Sequence, residues 1–177
     1  MTSSPRPRSV PRWPRHTRPV WTGSPSRLPT AIPDQYTGRR PPVDREAALH
    51  LMDHFLAAYN EGDPEHLDRC LHPDYRHPNP AVERGIEGMR GAVRRWAASV
   101  EDLRLTLDDL VVEGDKVVAR MTFSGRQVGP ILDIPPSGKR FSVGLIDIFL
   151  VEDGLFAQHW DEMDLLGLHR QLGALPA

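Results

Sequence analysis

Between Phe141 and Asp164 apolar and polar residues alternate with a period of two, broken once at Glu152-Asp153-Gly154. Such alternation specifies two strands joined by a turn, each with one face on a core. Asp147 and Asp161 fall where large apolar residues are expected, and which face each takes depends on the turn. A two-residue Asp-Gly loop pairs Asp147 with Trp160 and sends Asp161 to the opposite face. A three-residue loop with Gly154 in the left-handed region pairs Asp147 with His159 and Leu145 with Asp161. A glycine at the third position suits the second form, which puts Leu145, Asp147, Phe149, His159, Asp161 and Met163 on one face. Burying a carboxylate is costly unless it is paired or protonated, so acids on a greasy face mark a candidate site. The bland alternative is a buried cross-strand pair of Asp147 with His159.

Ahead of this hairpin the period is helical. Ala48, Leu51, Met52, Phe55 and Tyr59 recur at three- and four-residue spacing, which predicts a helix over 43–60 stopped by Gly62. Asp63-Pro64 predicts a second, short helix capped by Asp63, with Leu67, Cys70 and Leu71 inward and Pro73 at its end. The Pro-flanked stretch Tyr75-Arg-His77-Pro-Asn79-Pro cannot be helical. Ile86, Met89, Val93, Trp96, Ala97 and Val100 predict a third helix over 86–100, weakened at its start by Gly88 and Gly91. After residue 102 the period becomes two. Strands are expected at 104–112 and 116–125, turning at Gly114-Asp115, and an apolar loop at 129–138 precedes the hairpin. A last helical turn is expected at 165–172. Helices followed by an antiparallel sheet give an α+β fold with helices on one face, and the gap left between them forms an apolar pocket. The 129–138 loop is expected on its rim.

Charge divides the chain. Eight Arg against Asp34 leave +7 on residues 1–40, so the rest carries −9 of a total of −2. The Pro-, Arg- and Ser-rich segment 1–42 has no apolar period and is expected to be a disordered tail on a domain at 43–177. An Arg cluster can bind nucleic acid or anionic lipid, but the preferred reading is a disordered extension or translation from an upstream start codon, so no membrane or nucleic-acid partner is expected. The segment also lacks the apolar run of a signal peptide or membrane span, and the location is expected to be cytoplasmic. The single cysteine, Cys70, excludes an internal disulfide and suits a small core position. His50 and His54 have metal-ligand spacing but read as a solvated helix face. Pro136-Ser137-Gly138-Lys139 lacks the earlier glycine and the helix of a phosphate loop. No dinucleotide fingerprint, zinc cysteine pattern or nucleophile elbow is present, so no cofactor and no metal are expected. On the outer sheet face Ile146, Ile148, Leu150, Phe156 and Trp160 form an apolar patch suited to a homodimer.

Several segments together resemble one family. Ser124-Gly125-Arg-Gln127-Val-Gly129 through Pro135-Pro136-Ser-Gly138-Lys139 resembles the Gly-x-His-x-Gly and Pro-Pro-Thr-Gly-Lys loop of the SnoaL-like polyketide cyclases. Asp147 to Gly154, His159-Trp160-Asp161 and Leu166-Gly167 to Leu172-Gly173 resemble its closing motifs, and His72-Pro73-Asp74-Tyr75 its early one. The likeness spans about residues 43–174. It implies the cone-shaped α+β fold shared with nuclear transport factor 2 and ketosteroid isomerase. It also implies cofactor-free, intramolecular aldol closure of a polycyclic aromatic or polyketide ring. The family's acid/base aspartate corresponds to Asp161. Where its cyclases have a histidine this chain has Asp147; His77 replaces their usual Asn, and Gln127 a frequent His.

Aldol closure needs a base for a proton α to a carbonyl and a donor for the resulting oxyanion. Asp161 is the expected base, its basicity raised by an apolar pocket. The donor is His159, His77, Gln127, or Asp147 held protonated, since two acids on one face push their pKa values apart. The expected catalytic residues are therefore Asp161, Asp147 and His159. Those expected to hold an apolar substrate are His77, Gln127, Leu145, Phe149, Met163, Trp96 and Tyr59. Two further readings stand beside this one: another pocket chemistry (isomerase, hydrolase or hydroxylase accessory), and a non-catalytic binding module. A salt bridge from Asp161 to Arg120 or Arg126, closing it off from the pocket, would favour the module.

Overall fold

The structure is a computed structural model, and residues 41–78 and 83–175 are described. The expected disordered tail at 1–42 lies almost wholly outside them, as does Asn79.

α1 (Arg45–Glu61) starts where Asp44 accepts a hydrogen bond from Ala47 N and ends at Gly62, whose φ of 68° closes the helix. Leu51, Met52, Phe55 and Ala58 form its buried stripe. A 3-10 helix (Pro64–Arg69) follows, capped by Asp63 with Pro64 in its first turn. The chain then extends as β1 (Leu71–Arg76). α2 (Gly85–Ser99) runs directly into β2 (Val100–Glu113), followed by β3 (Lys116–Gln127), β4 (Arg140–Glu152), β5 (Leu155–Met163) and α3 (Leu165–Leu172).

The strands form one sheet in the order β1-β5-β4-β3-β2. It is mixed rather than purely antiparallel, because β1 runs parallel to β5. The sequence reading placed Pro73 at a helix end, whereas it lies in β1. Proline removes a ladder donor, which an edge strand tolerates. Two register shifts in β2 and one in the β4–β5 ladder interrupt regular pairing. The helices pack on the inner face, giving the α+β cone. α1 is tied down at both ends: Arg45 Nη1 donates to Leu110 O at 2.7 Å, and the Asn60 amide exchanges two hydrogen bonds with the Leu105 backbone. Phe55 of α1 meets Phe149 edge-on at 5.2 Å, and Phe149 stacks on Phe156 at 4.1 Å.

The hairpin turn differs from expectation. Asp153 and Gly154 both have positive φ, 49° and 77°, and form a two-residue loop with Glu152 paired to Leu155. That turn alone would put Asp161 on the outer face. An extra residue at Ala157, between the pairs Val151–Phe156 and Leu150–Gln158, turns the rest of β5 over. The expected inner face survives, but Asp147 is opposite Asp161 and His159 is opposite Phe149. The expected pair of Asp147 with His159 is not formed. The two-residue turn, which pairs Phe156 with Val151, takes Phe156 inward, and Leu150 is also buried; of the expected outer patch Ile146 and Ile148 are exposed and Trp160 is half-buried.

Candidate active site

A cavity of about 530 Å³ opens between the helices and the inner sheet face. Tyr59 and Trp96 come to it from the helices, His77 from the segment after β1, and Leu145, Asp147, His159, Asp161 and Met163 from the hairpin. Pro130, Ile131 and Leu132 place the 129–138 loop on the rim, as expected.

Two expected residues do not line it. Phe149 is wholly buried behind His159, with ring centroids 5.2 Å apart. Gln127 spends its amide on the loop: Nε2 donates to Ile134 O and Pro135 O, and Oε1 accepts from Ser137 N and Ser137 Oγ. Fully satisfied, it has no group left for a substrate carbonyl and acts by holding the rim.

The polar wall combines two acids with a hydrogen-bonded chain. Asp147 and Asp161 are direct cross-strand partners, which places their Cβ atoms about 5 Å apart. Asp147 is buried, and its Oδ1 has no hydrogen-bond partner among the described residues. Burial, and next the Asp161 charge, hold its carboxyl well above the ordinary range, which favours its protonated form. Asp161 is one-third exposed to the cavity, and its Oδ1 lies 3.5 Å from His77 Nε2.

From His77 the chain runs inward. His77 Nε2 and His159 Nε2 share a hydrogen bond of 2.9 Å, with the rings perpendicular. His159 Nδ1 hydrogen-bonds the Tyr75 hydroxyl. Burial, helped by His77, pushes the His159 pKa down to about 3, so this imidazole is neutral at physiological pH. Burial also lowers His77, against a smaller upward pull from Asp161. The Tyr75 and Tyr59 hydroxyls are pushed up, chiefly by burial, and stay protonated. With its proton on Nδ1, His159 donates to the Tyr75 hydroxyl and accepts at Nε2 from His77 Nε2–H, the same N–H that faces Asp161 Oδ1.

Tyr75 was missed as a site residue, although a signal existed: alternation puts positions 75 and 77 on one side of an extended chain. His77, His159 and Asp161 are also the group among the described residues whose donor atoms, within 4.8 Å of one another, could ligate a cation. His50 and His54 pack edge-on at 4.9 Å and belong to no such group. Arg120 pairs with Asp108 and Arg126 with Glu101, so neither closes off Asp161.

Comparison with known proteins gives the family and the fold. The SnoaL-like polyketide cyclase description matches residues 49–172. The chain belongs to that family. An aklanonic acid methyl ester cyclase of Streptomyces peucetius is 32% identical over 132 residues, covering 71% of this chain and 90% of the relative. TsrD from Streptomyces laurentii, a solved structure, is 85% identical, with a TM-score of 0.73 over 75% of this chain and 99% of TsrD. A ketosteroid isomerase-like protein from Catenulispora acidiphila, 20% identical with a TM-score of 0.60 over 71% of this chain and 93% of its own, shares the fold. In this SnoaL-like chain the aspartate taken from the family motif, Asp161, is the acid that opens onto the cavity.

Proposed function

We propose that this chain is a cofactor-independent cyclase that closes a ring on a polyketide or polycyclic aromatic substrate by an intramolecular aldol reaction. The observation that carries the reading is the facing pair of acids in unlike surroundings, Asp147 buried and protonated, Asp161 open to the cavity. Such pairs separate acid and base roles at one pH.

Asp161 takes the proton from the carbon α to a carbonyl, and the C–H electrons become the enolate. The enolate carbon then forms the new C–C bond to the second carbonyl carbon, and that carbonyl oxygen takes its proton from the Asp147 carboxyl. The proton gained by Asp161 returns across the strand pair to Asp147, so substrate and product are isomers and the protein ends as it began. The orphan Oδ1 of Asp147 supports its role as donor. His77 positions Asp161, and Tyr75 and His159 hold His77 in place. Tyr59, Trp96, Leu145 and Met163 supply the apolar seat. The non-catalytic reading loses its support because Asp161 is bound to neither Arg120 nor Arg126.

Conversion of an anthraquinone β-keto ester, followed by absorbance, tests the assignment. Asp161→Asn is expected to lower turnover by about 10²–10⁴-fold with the fold intact. A fully active Asn variant would sink it.

We also propose a homodimer through the outer sheet face, supported by exposed Ile146 and Ile148, and a cytoplasmic location, supported by the free, buried thiol of Cys70. Cell fractionation tests the second.

A further inference from the structure

We infer that the natural substrate carries a free carboxylate, held at the cavity mouth by Arg95 of α2, so that this pocket selects an acid over its methyl ester. The inference rests on the cavity being the substrate site, as proposed above.

Arg95 is the one arginine or lysine of the cavity lining. It makes no ion pair or hydrogen bond among the described residues. Its helix neighbour Arg90 shows the contrast: Asp68 and Glu87 both pair with it. The other exposed charge of the lining, Glu162, forms no ion pair with Arg95. A guanidinium facing a largely apolar cavity has planar, forked donors that match a carboxylate through two parallel hydrogen bonds.

Its placement also has a local cause. A Cβ built on Gly91, one turn earlier, would lie 3.1 Å from Arg95 Nη1. The head group therefore lies back over its own helix at a position kept clear by the missing side chain. Tyr59 lies within its field and also lines the cavity, and its hydroxyl has no hydrogen-bond partner among the described residues. Arg95 and the Tyr59 hydroxyl are thus both donors of the cavity lining. Beside them Trp96 and Phe123 meet edge-on at 4.8 Å, an aromatic wall for the ring that bears the carboxylate. A single cation suits a singly charged carboxylate. The relative from Streptomyces peucetius is named for a methyl ester, so the two pockets would differ in the charge they accept.

Calorimetric titration of the full chain with 2-naphthoate, methyl 2-naphthoate and 2-naphthamide reads this directly. The acid is expected to bind at least about tenfold more tightly than either neutral compound, from the usual worth of hydrogen bonds to charged groups. Its affinity alone should fall as KCl is raised. Arg95→Gln should bring the acid down to the level of the ester, and Arg95→Lys should keep part of the preference. Equal or tighter binding of the ester, an acid preference that survives Arg95→Gln, or no binding of the acid at millimolar concentration would each overturn the inference. Turnover of the β-keto ester with and without Asp161 is a separate readout, so the cyclase assignment can stand or fall independently.

Discussion

Asp147 and His159 bury ionisable groups in opposite senses, and their effects on stability oppose each other. Native Asp147 keeps its proton at pH values where the unfolded side chain has lost it, so its contribution to stability falls as pH rises above the unfolded value near 4. Native His159 stays neutral down to about 3 while the unfolded imidazole gains a proton below about 6.5, so its contribution falls as pH drops through that window. Between pH 4.5 and 6 the two slopes oppose each other. Urea denaturation at those two pH values should show Asp147→Asn gaining stability from pH 4.5 to 6 relative to wild type, and His159→Gln losing about 2 kcal/mol. Parallel slopes in all three proteins would show that neither group is buried in the charge state assigned to it. At this scale the sequence was legible for the acids and His159, since an ionisable residue in an alternating apolar run stands out. Arg95 was not legible, because an arginine on an amphipathic helix looks like any solvated one.

The loop after β3 depends on one side chain. Gln127 donates to two carbonyls and accepts from both polar groups of Ser137. Gln127→Leu keeps the volume and leaves those carbonyls without that donor, which should cost about 2–3 kcal/mol. The loss should be local: residues 128–139 should become sensitive to limited proteolysis and KM should rise more than kcat falls. A variant as protease-resistant as wild type would mean that the Ile131–Ile134 bridge alone holds the rim. Element identities were readable for the three main helices and the four long strands, because period and caps are local properties. β1 was not: six residues containing a proline carry no strand pattern, and pairing with β5 is what makes them a strand.

At the scale of the molecule, the exposed part of the outer sheet face is narrower than its sequence suggested, because Leu150 and Phe156 are buried. If Ile146 and Ile148 join two copies, sedimentation should give twice the chain mass, and Ile148→Glu should halve it; a wild-type monomer at micromolar concentration would exclude the dimer. The sequence by itself determined the fold class, the order of elements and the inward face of the hairpin, because apolar periodicity and turn residues act over a few positions. It also carried the family, whose motifs are linear. Only the tertiary structure decided that Asp147 faces Asp161, that Tyr75 and His77 reach His159, and that Gln127 serves the loop. The contacts of Asp147, Tyr75 and His77 depend on one bulged residue at Ala157 and on the packing of β1 beside β5. A single-residue change of register reverses every side chain beyond it, and local sequence has no means of marking where that happens.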